Sequence, residues 1–542
     1  SWTKRGGYST SGNYYQEIYC DRFDVDKIYS MNTWLHHSID GGKTFKRTGE
    51  TFKHVDNHCM WQDPQHPNHW ILGCDGGIYE TWNHAKDWQY KAYLPITQFY
   101  KVAVDNAEPF YNIYGGTQDN NSMGGPSRTT NSAGIVNADW YITNGGDGFE
   151  SQIDPTDPNI VYAQAQYGWL VRYDKKSGER VGIKPAPDVG EAPYRWNWDS
   201  PLLISPHNPQ RLYFAANKVF RSENRGDDWD VISDDLTQQI DRNQLKVMGQ
   251  LWTPEAVMKN KSTSMYGNIV ALDESPLQEN LIYIGTDDGV LQRTEDAKTW
   301  TKLNLPAGVP ANTYVNAIIT SRHDASTLYV VFNNHKNGDF KPYAYKSTDK
   351  GASWKAGNGN LPERGTVYDL AEDHVDPQLL FVGTEFGCVV SKDGGSLWTQ
   401  LKGGLPTIAI RDVEIQTREN DLVLASFGRG FYVLDDYSPL RNYKKADKEQ
   451  LAAMYPIKKS LIFIERNPLG GRSKASQGAS YYAAKNPPVG AVFTYLFSDT
   501  TMKTRRDLRY KAEAAARKQK VDVDYPSIED LRQEDLQQKP FV

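Results

Sequence analysis

Cysteine is scarce in this chain. Four residues in 542 (Cys20, Cys59, Cys74 and Cys388) are too few for a disulfide framework, and no C-x-x-C pair offers a thiolate zinc site. Cys59 and Cys74 fall on what read as neighbouring strands, so a bridge between those two is the one to look for. Long apolar runs are missing as well. Stretches such as the one around Leu328–Phe332 fall far short of the ~18 residues of a membrane-spanning helix. Neither sign of charge dominates: 61 Lys+Arg against 67 Asp+Glu give a formal charge of −6, with no polybasic footprint and no acidic tail, so nucleic acid is not an indicated partner. The opening Ser1-Trp2-Thr3-Lys4-Arg5 leads into no apolar segment, and no signal peptide is visible. No Ser/His/Asp nucleophile arrangement, phosphate-cradling loop or dinucleotide fingerprint stands at convincing spacing, and no cofactor is implied.

Tyr (33), Trp (15), Gly (44) and Pro (28) are plentiful instead, a mix that suits many short strands joined by tight turns. One signature recurs, S/T-x-D-x-G-x-x-W/F. It reads Ser38-Ile-Asp40-Gly-Gly42-Lys-Thr-Phe45, Ser347-Thr-Asp349-Lys-Gly351-Ala-Ser-Trp354 and Ser391-Lys-Asp393-Gly-Gly395-Ser-Leu-Trp398. Weaker copies start at Ser222, Thr294 and Thr81. Successive starts are 43, 141, 72, 53 and 44 residues apart, and the gap of 141 holds three periods. A unit of about 40–50 residues built from four short strands is the mark of a β-propeller blade. In each turn the Asp accepts from backbone N–H groups, the Gly supplies a left-handed conformation and the aromatic buries the return strand. These boxes are structural.

A second element precedes the boxes: Asp63-Pro, Asp154-Pro, Ser205-Pro, Ser275-Pro and Asp376-Pro turns, each followed by a short apolar run. Antiparallel alternation puts these Pro-turns and the D-x-G turns on one face of the disc. The other face collects Cys74-Asp75-Gly76-Gly77, Thr117-Gln118-Asp119-Asn120-Asn121, Thr286-Asp287-Asp288-Gly289, Thr384-Glu385-Phe386-Gly387 and Phe427-Gly428-Arg429-Gly430. Blade entries add His54, Asp56, His58, Asp147, Trp196, Trp198 and Tyr266. Counting units gives an all-β chain with a seven-bladed propeller at 51–405. Residues 1–50 and 406–445 flank it as blades of a second, incomplete propeller. The remainder, 446–542, reads as a linker and a charged, partly helical tail, with helices near 505–517 and 528–538.

From Tyr14-Tyr-Gln-Glu-Ile18 to Leu434-Asp-Asp436 the chain resembles the second half of large bacterial sortilin-like, Asp-box (BNR-repeat) tandem-propeller proteins labelled glycosyl hydrolases. His54-Val-Asp-Asn-His58, Pro95-Ile-Thr-Gln-Phe-Tyr, Gly116-Thr-Gln-Asp-Asn120, Gly285-Thr-Asp-Asp-Gly289 and Phe427-Gly-Arg429 carry the likeness. Pro487-Pro-Val-Gly-Ala-Val-Phe resembles a linker into a further C-terminal β-domain. The resemblance implies an extracytoplasmic protein, periplasmic, outer-membrane associated or secreted, whose first propeller is a partner absent from this sequence. It also implies a peptide, protein or glycan ligand. The tandem arrangement is similar to that of xyloglucan-degrading glycosidases, which use one Asp from each of two propellers. No motif transfers those two carboxylates here.

Within the loop-rich face, Asp119 and Asp147 are the candidate acid/base carboxylates, because Gln118, Asn120 and Asn144 give them polar company beyond turn chemistry. His54, Asp56 and His58 alternate on a predicted innermost strand and point one way. They form either a hydrogen-bonded cluster or a pair of imidazoles able to share a metal, and no metal is assigned. Asp75, Asp287, Asp288, Glu385 and Arg429 complete the candidate ligand-binding set. Trp196 and Trp198 are either a sugar-stacking platform or packing between blades.

Overall fold

The structure is a computed structural model that describes residues 2–11, 14–256, 259, 266–450, 452–467, 481–497 and 503–536. The fold is nearly all β. Nine antiparallel sheets follow one another, at 18–47, 57–90, 101–144, 148–182, 202–231, 269–303, 314–356, 367–400 and 410–434, and are numbered one to nine here. Sheets one to eight have four strands each, and sheet nine has three among the described residues. The second strand of a sheet, such as Leu212–Ala215, Ile282–Thr286 or Leu380–Thr384, is buried along its whole length. That double burial explains why these strands read as unbroken apolar runs rather than as alternation.

Both recurrent turns act as clamps. In the D-x-G turn of sheet seven, Asp349 Oδ1 accepts from the Ser353 N–H (2.8 Å) and the Gly351 N–H donates to Ser347 Oγ (2.8 Å). Gly351 stands at φ +84, a conformation that strains any residue with a Cβ. The turn then bonds the turn between the first two strands of its own sheet: Gly394 N to Gln378 O at 3.0 Å and Arg225 N to Gln210 O at 2.9 Å, both in Pro-turns, and Lys350 N to Ser326 O at 2.8 Å in the proline-free turn of sheet seven. The Pro-turns and D-x-G turns therefore share a face. The signature Trp reaches further. The indole N–H groups of Trp88, Trp229, Trp300, Trp354 and Trp398 donate to the carbonyls of Gly49, Ile183, Ile232, Asn304 and Gly357, each just past the last strand of the preceding sheet.

Sheets three to nine form a ring. Each packs on the next, and sheet nine packs on both sheet eight and sheet three. One cavity of about 230 Å³ is lined by Lys101, Glu150, Leu202, Asp273, Asn316, Asp369 and Asp412, one residue from the first strand of each of the seven sheets. The seam between sheets three and nine is held by the Val102 N–H on Asp412 Oδ2 (2.8 Å), Tyr111 OH on Asp421 Oδ2 (3.0 Å) and Gln416 Nε2 on the Asp105 carbonyl (3.0 Å). Sheets one and two pack on one another through Tyr29, Met31, Met60, Trp70 and Leu72.

This packing differs from the boundaries expected at 51–405 and 406–445. Sheet nine occupies the ring, and sheet two pairs with sheet one outside it. The period fixes the unit but not which end closes. Sheet three lacks a D-x-G turn and sheet nine has no fourth strand among the described residues, so the pattern found both units without showing that they are neighbours. Residues 446–542 are also not a uniform linker. The chain divides into a unit of residues 1–435 with 464–487 and a unit of 436–463 with 488–542. In the first, Ala483–Ala484 pairs with Ile135–Val136. In the second, Ala452–Met454 pairs with Tyr495–Phe497, and helices Arg505–Gln519 and Ile528–Leu536 are joined by Arg509 on Glu534 (2.8 and 2.9 Å). No described helix is long and apolar enough to cross a membrane. All four cysteines are free thiols. Cys59 faces Gly73 and Cys74 faces Asn57, so the register separates the two candidates.

Candidate functional site

A buried ion pair fixes the passage from sheet one to sheet two. Lys53 Nζ lies 2.8 Å from Glu50 Oε1, and both side chains are shut off from water. Lys53 also donates to Asn57 Oδ1 and to the His54 carbonyl (2.6 Å each). Glu50 accepts from the Leu35 N–H (2.9 Å) and from Asn57 Nδ2 (3.0 Å). These extra bonds offset the cost of taking both charges out of water. They hold the segment that presents His54 and Asp56.

Asp56 has φ +62, and the strand starts only at Asn57. The expected strand alternation of His54, Asp56 and His58 is thus broken by a left-handed residue. His54 Nε2 lies 3.3 Å from the Asp119 carbonyl. Asp56 accepts from the Tyr15 hydroxyl. His58 Nε2 lies 2.8 Å from Asp75 Oδ1, and its ring stacks on Tyr15 at 5.5 Å. Asp75 stands in the turn between the second and third strands of sheet two, and Asp119 in the equivalent turn of sheet three, at φ +59. Asn120 Nδ2 donates to the Asp75 carbonyl (2.8 Å), which ties the two turns together.

Carboxylate oxygens of Asp56, Asp75 and Asp119 lie within 4.8 Å of one another. Hard divalent cations take such oxygens at about 2.0–2.6 Å, so these three, rather than His54, Asp56 and His58, are the donor set that could hold one. Asp147 joins the row from the entry to sheet four. Its Oδ1 accepts the Asp119 N–H (2.9 Å), and the Trp198 indole N–H reaches its carboxylate. The Asp119 side chain hydrogen-bonds those of both Asp75 and Asp147. A carboxyl group beside other carboxylates is harder to ionise. Burial first, and then the neighbouring carboxylates, push Asp119 and Asp147 each up to about 6.

Rings surround the row. Tyr14 is half exposed and meets His58 edge-on at 5.5 Å. Its hydroxyl pKa is raised by burial and by the charges of Asp75, Asp119, Asp56 and Asp147. Tyr100 OH donates to Gln118 Oε1 (2.6 Å), and Trp198 tilts over Tyr167 at 4.9 Å.

Nine of the candidate residues therefore come together: His54, Asp56, His58, Asp75, Gln118, Asp119, Asn120, Asp147 and Trp198. The other five have different surroundings. Trp196 is 7% exposed and packs with Phe214 and Phe220, so it is core rather than a platform. Asp287 accepts from the Gly267 and Asn268 N–H groups (3.1 and 2.8 Å), and Asp288 from Thr286 Oγ1 and the Gln238 N–H (2.5 and 2.9 Å). Both are consumed in holding loops. Glu385 accepts from Tyr368 OH. Arg429 borders a separate apolar cavity of about 700 Å³ with Trp140, Phe431 and Tyr482. Tyr14, Tyr15 and Tyr100 went unmarked because a tyrosine between strands is usually packing, and only the contact with an acid distinguishes these.

No family model matches the chain. A curated relative, xyloglucanase Xgh74A of Acetivibrio thermocellus, is 23% identical over 270 residues, which is 45% of this chain and 30% of that protein. A second sequence of that name is 22% identical over the same length. The chain spans under a third of these relatives. Among solved structures, the extracellular domain of the putative hybrid two component system BT3049 from B. thetaiotaomicron matches with TM-score 0.41 and 11% identity, over 90% of this chain and 59% of that one. The Niastella koreensis GH74 enzyme matches with TM-score 0.26 and 13% identity, over 78% and 77%. This chain is thus similar over part of its length to xyloglucanases, at low identity.

Proposed function

We propose that this chain is the glycan-binding part of a longer, extracytoplasmic, sortilin-like Asp-box propeller protein. The ligand lies over the row Asp56, Asp75, Asp119 and Asp147, where sheet two meets the ring. One observation carries the reading: four carboxylates, two imidazoles and the rings of Tyr14, Tyr15 and Trp198 converge at one place. Sugars are bound by such mixtures of acceptors for hydroxyl groups and flat faces for C–H groups. The partial likeness to xyloglucanases favours a glucan ligand over a peptide or protein. Sheets one and two belong, in this reading, to a further propeller that is the chain's own partner and forms the opposite wall.

A second reading, glycoside hydrolysis, is favoured by the proton that Asp119 and Asp147 keep to about 6, where a general acid works best. These two cannot themselves be an opposed acid/base pair. Paired carboxylates stand ~5–5.5 Å apart in retaining glycosidases and ~6.5–9.5 Å in inverting ones, well beyond hydrogen-bond contact. Asp119 or Asp147 would be the proton donor, and the second carboxylate would come from across the groove. The test is Asp119→Asn and Asp147→Asn in the full-length parent, assayed on xyloglucan oligosaccharides for binding and for release of reducing ends. Binding alone predicts weaker retention and no turnover in any form. Hydrolysis predicts a kcat lowered at least ~100-fold in one variant. Unchanged binding and turnover in both would refute the placement.

A further inference from the structure

A second pocket opens at the mouth of the ring's channel. It measures about 300 Å³ and is lined by Tyr100, Asp199, Tyr314, Asn333, Lys336 and Arg411, among others. That volume stands at the small end of ligand sites and suits one ring-sized molecule. The pocket is contributed by loops and strands of several sheets, so no single turn explains its chemistry.

Its charges are unevenly spent. Lys101, on the floor, faces Glu150 at 3.8 Å and Asp412 at 4.0 Å. The two cations at the rim have no such partner: among the described residues, no ion pair involves Arg411 or Lys336. Arg411 lies over the rings of Tyr368 (4.2 Å) and Phe427 (5.0 Å), which orient its plane and leave N–H groups on its edge for an incoming acid. Lys336 Nζ donates only to neutral oxygens, the Asp287 carbonyl (2.8 Å) and Tyr266 OH (3.3 Å). Asp199 adds one carboxyl group that can bond ring hydroxyls; burial pushes its pKa up. Asn333 and Tyr314 add neutral donors and acceptors.

We infer that this axial pocket binds a single acidic sugar, a uronate, with its carboxylate on Arg411 and Lys336 and its ring hydroxyls on Asp199, Asn333 and Tyr314. Two cations with no carboxylate in direct contact suit a carboxylate, and the charges of Asp287 and Asp288 near Lys336 disfavour the second negative charge of a phosphate. The site lies beside the Asp119 turn, since Tyr100 lines the pocket and bonds Gln118 (2.6 Å). The inference rests on the glycan reading and extends it to ligands carrying an acidic unit.

The experiment is titration calorimetry of the whole chain with D-glucuronate, D-glucose and inorganic phosphate, repeated on Arg411→Gln, Lys336→Gln and the control Lys298→Gln. Saturable binding of glucuronate, with glucose and phosphate at least about tenfold weaker, is expected. Losing a charged hydrogen bond should weaken glucuronate about tenfold or more in each of the two cation variants, while Lys298→Gln, at an exposed lysine outside both sites, retains it. Absence of glucuronate binding, equal binding of phosphate, or affinity unchanged in both cation variants would overturn the inference. Because Arg411 also packs on two rings, Lys336→Gln, exposed and away from them, decides the case if Arg411→Gln misfolds. Failure here with Asp119→Asn still affecting oligosaccharide binding would sink the axial site alone and leave the groove reading standing.

Discussion

Single residues around the carboxylate row carry the clearest energetic signs. Lys53 and Glu50 are a fully buried pair; removing one partner leaves the other charge stranded. Lys53→Met should cost about 3–5 kcal/mol, read as a shift of the denaturation midpoint. Adding Glu50→Gln should recover part of that loss, and a double variant no better than the single would show that packing rather than charge is at stake. Asp119 and Asp147 make a prediction of opposite sense. Their carboxyls are raised from 3.8 to about 6, so the native state binds more protons than the unfolded chain between those values. Their contribution to stability is full below about pH 4 and is lost as pH rises through 6. Asp119→Asn, which cannot ionise, should gain in melting temperature relative to the parent between pH 4 and pH 7. A difference that stays constant with pH would show that the carboxyl is not desolvated. Sequence placed Asp119, Asp147, Asp75 and His54 on one face correctly, because turn positions follow from strand alternation. It could not show that His54 and Asp56 leave the strand, nor that four acids from three sheets touch, since both depend on a left-handed residue and on neighbouring blades.

Elements in this fold are stabilised at their turns. Asp393 accepts from the Ser396 and Leu397 N–H groups (3.1 and 2.9 Å) and from Ser391 Oγ (2.8 Å), far from the carboxylate row in the chain. Asp393→Ala should cost about 1–3 kcal/mol through these unmet donors and leave ligand binding intact. Loss of binding at unchanged melting temperature would place function on the wrong face. The Trp398 indole N–H, bonded to Gly357 O at 2.9 Å, reaches the preceding sheet, so Trp398→Phe tests a contact between blades and not within one. About 0.5–1.5 kcal/mol is expected from a neutral hydrogen bond. The repeat made this machinery readable in advance: an Asp, a Gly and an aromatic at fixed offsets have one geometry. The partner of the indole was not readable, because the carbonyl it meets belongs to a residue of any type.

At the scale of the whole molecule, closure is the point that periodicity leaves open. Nine similar sheets can close seven in more than one way, and only side chains across the seam choose. Here Val102, Tyr111 and Gln416 bond across more than 300 positions in sequence, and Phe99, Val102, Tyr111 and Ile113 share a cluster with Val423 and Ala425. Opening the ring would uncover that cluster and bare the two apolar sheet faces that meet at the seam. Sheets one and two contribute nothing to the seam. A chain ending at Gln400 should therefore lose its sharp thermal transition and bind hydrophobic dye, whereas a chain starting at Pro95 should keep a single cooperative transition. Calorimetry on the two truncations separates the alternatives. If the first melts cooperatively and the second does not, closure runs through sheet two, and the ring would be the one that unit counting placed between residues 51 and 405. The same pair of truncations bears on the groove. Removing sheets one and two takes Asp56 and Asp75 away from Asp119, so the Asp119 carboxyl should fall back toward its ordinary value while the ring survives.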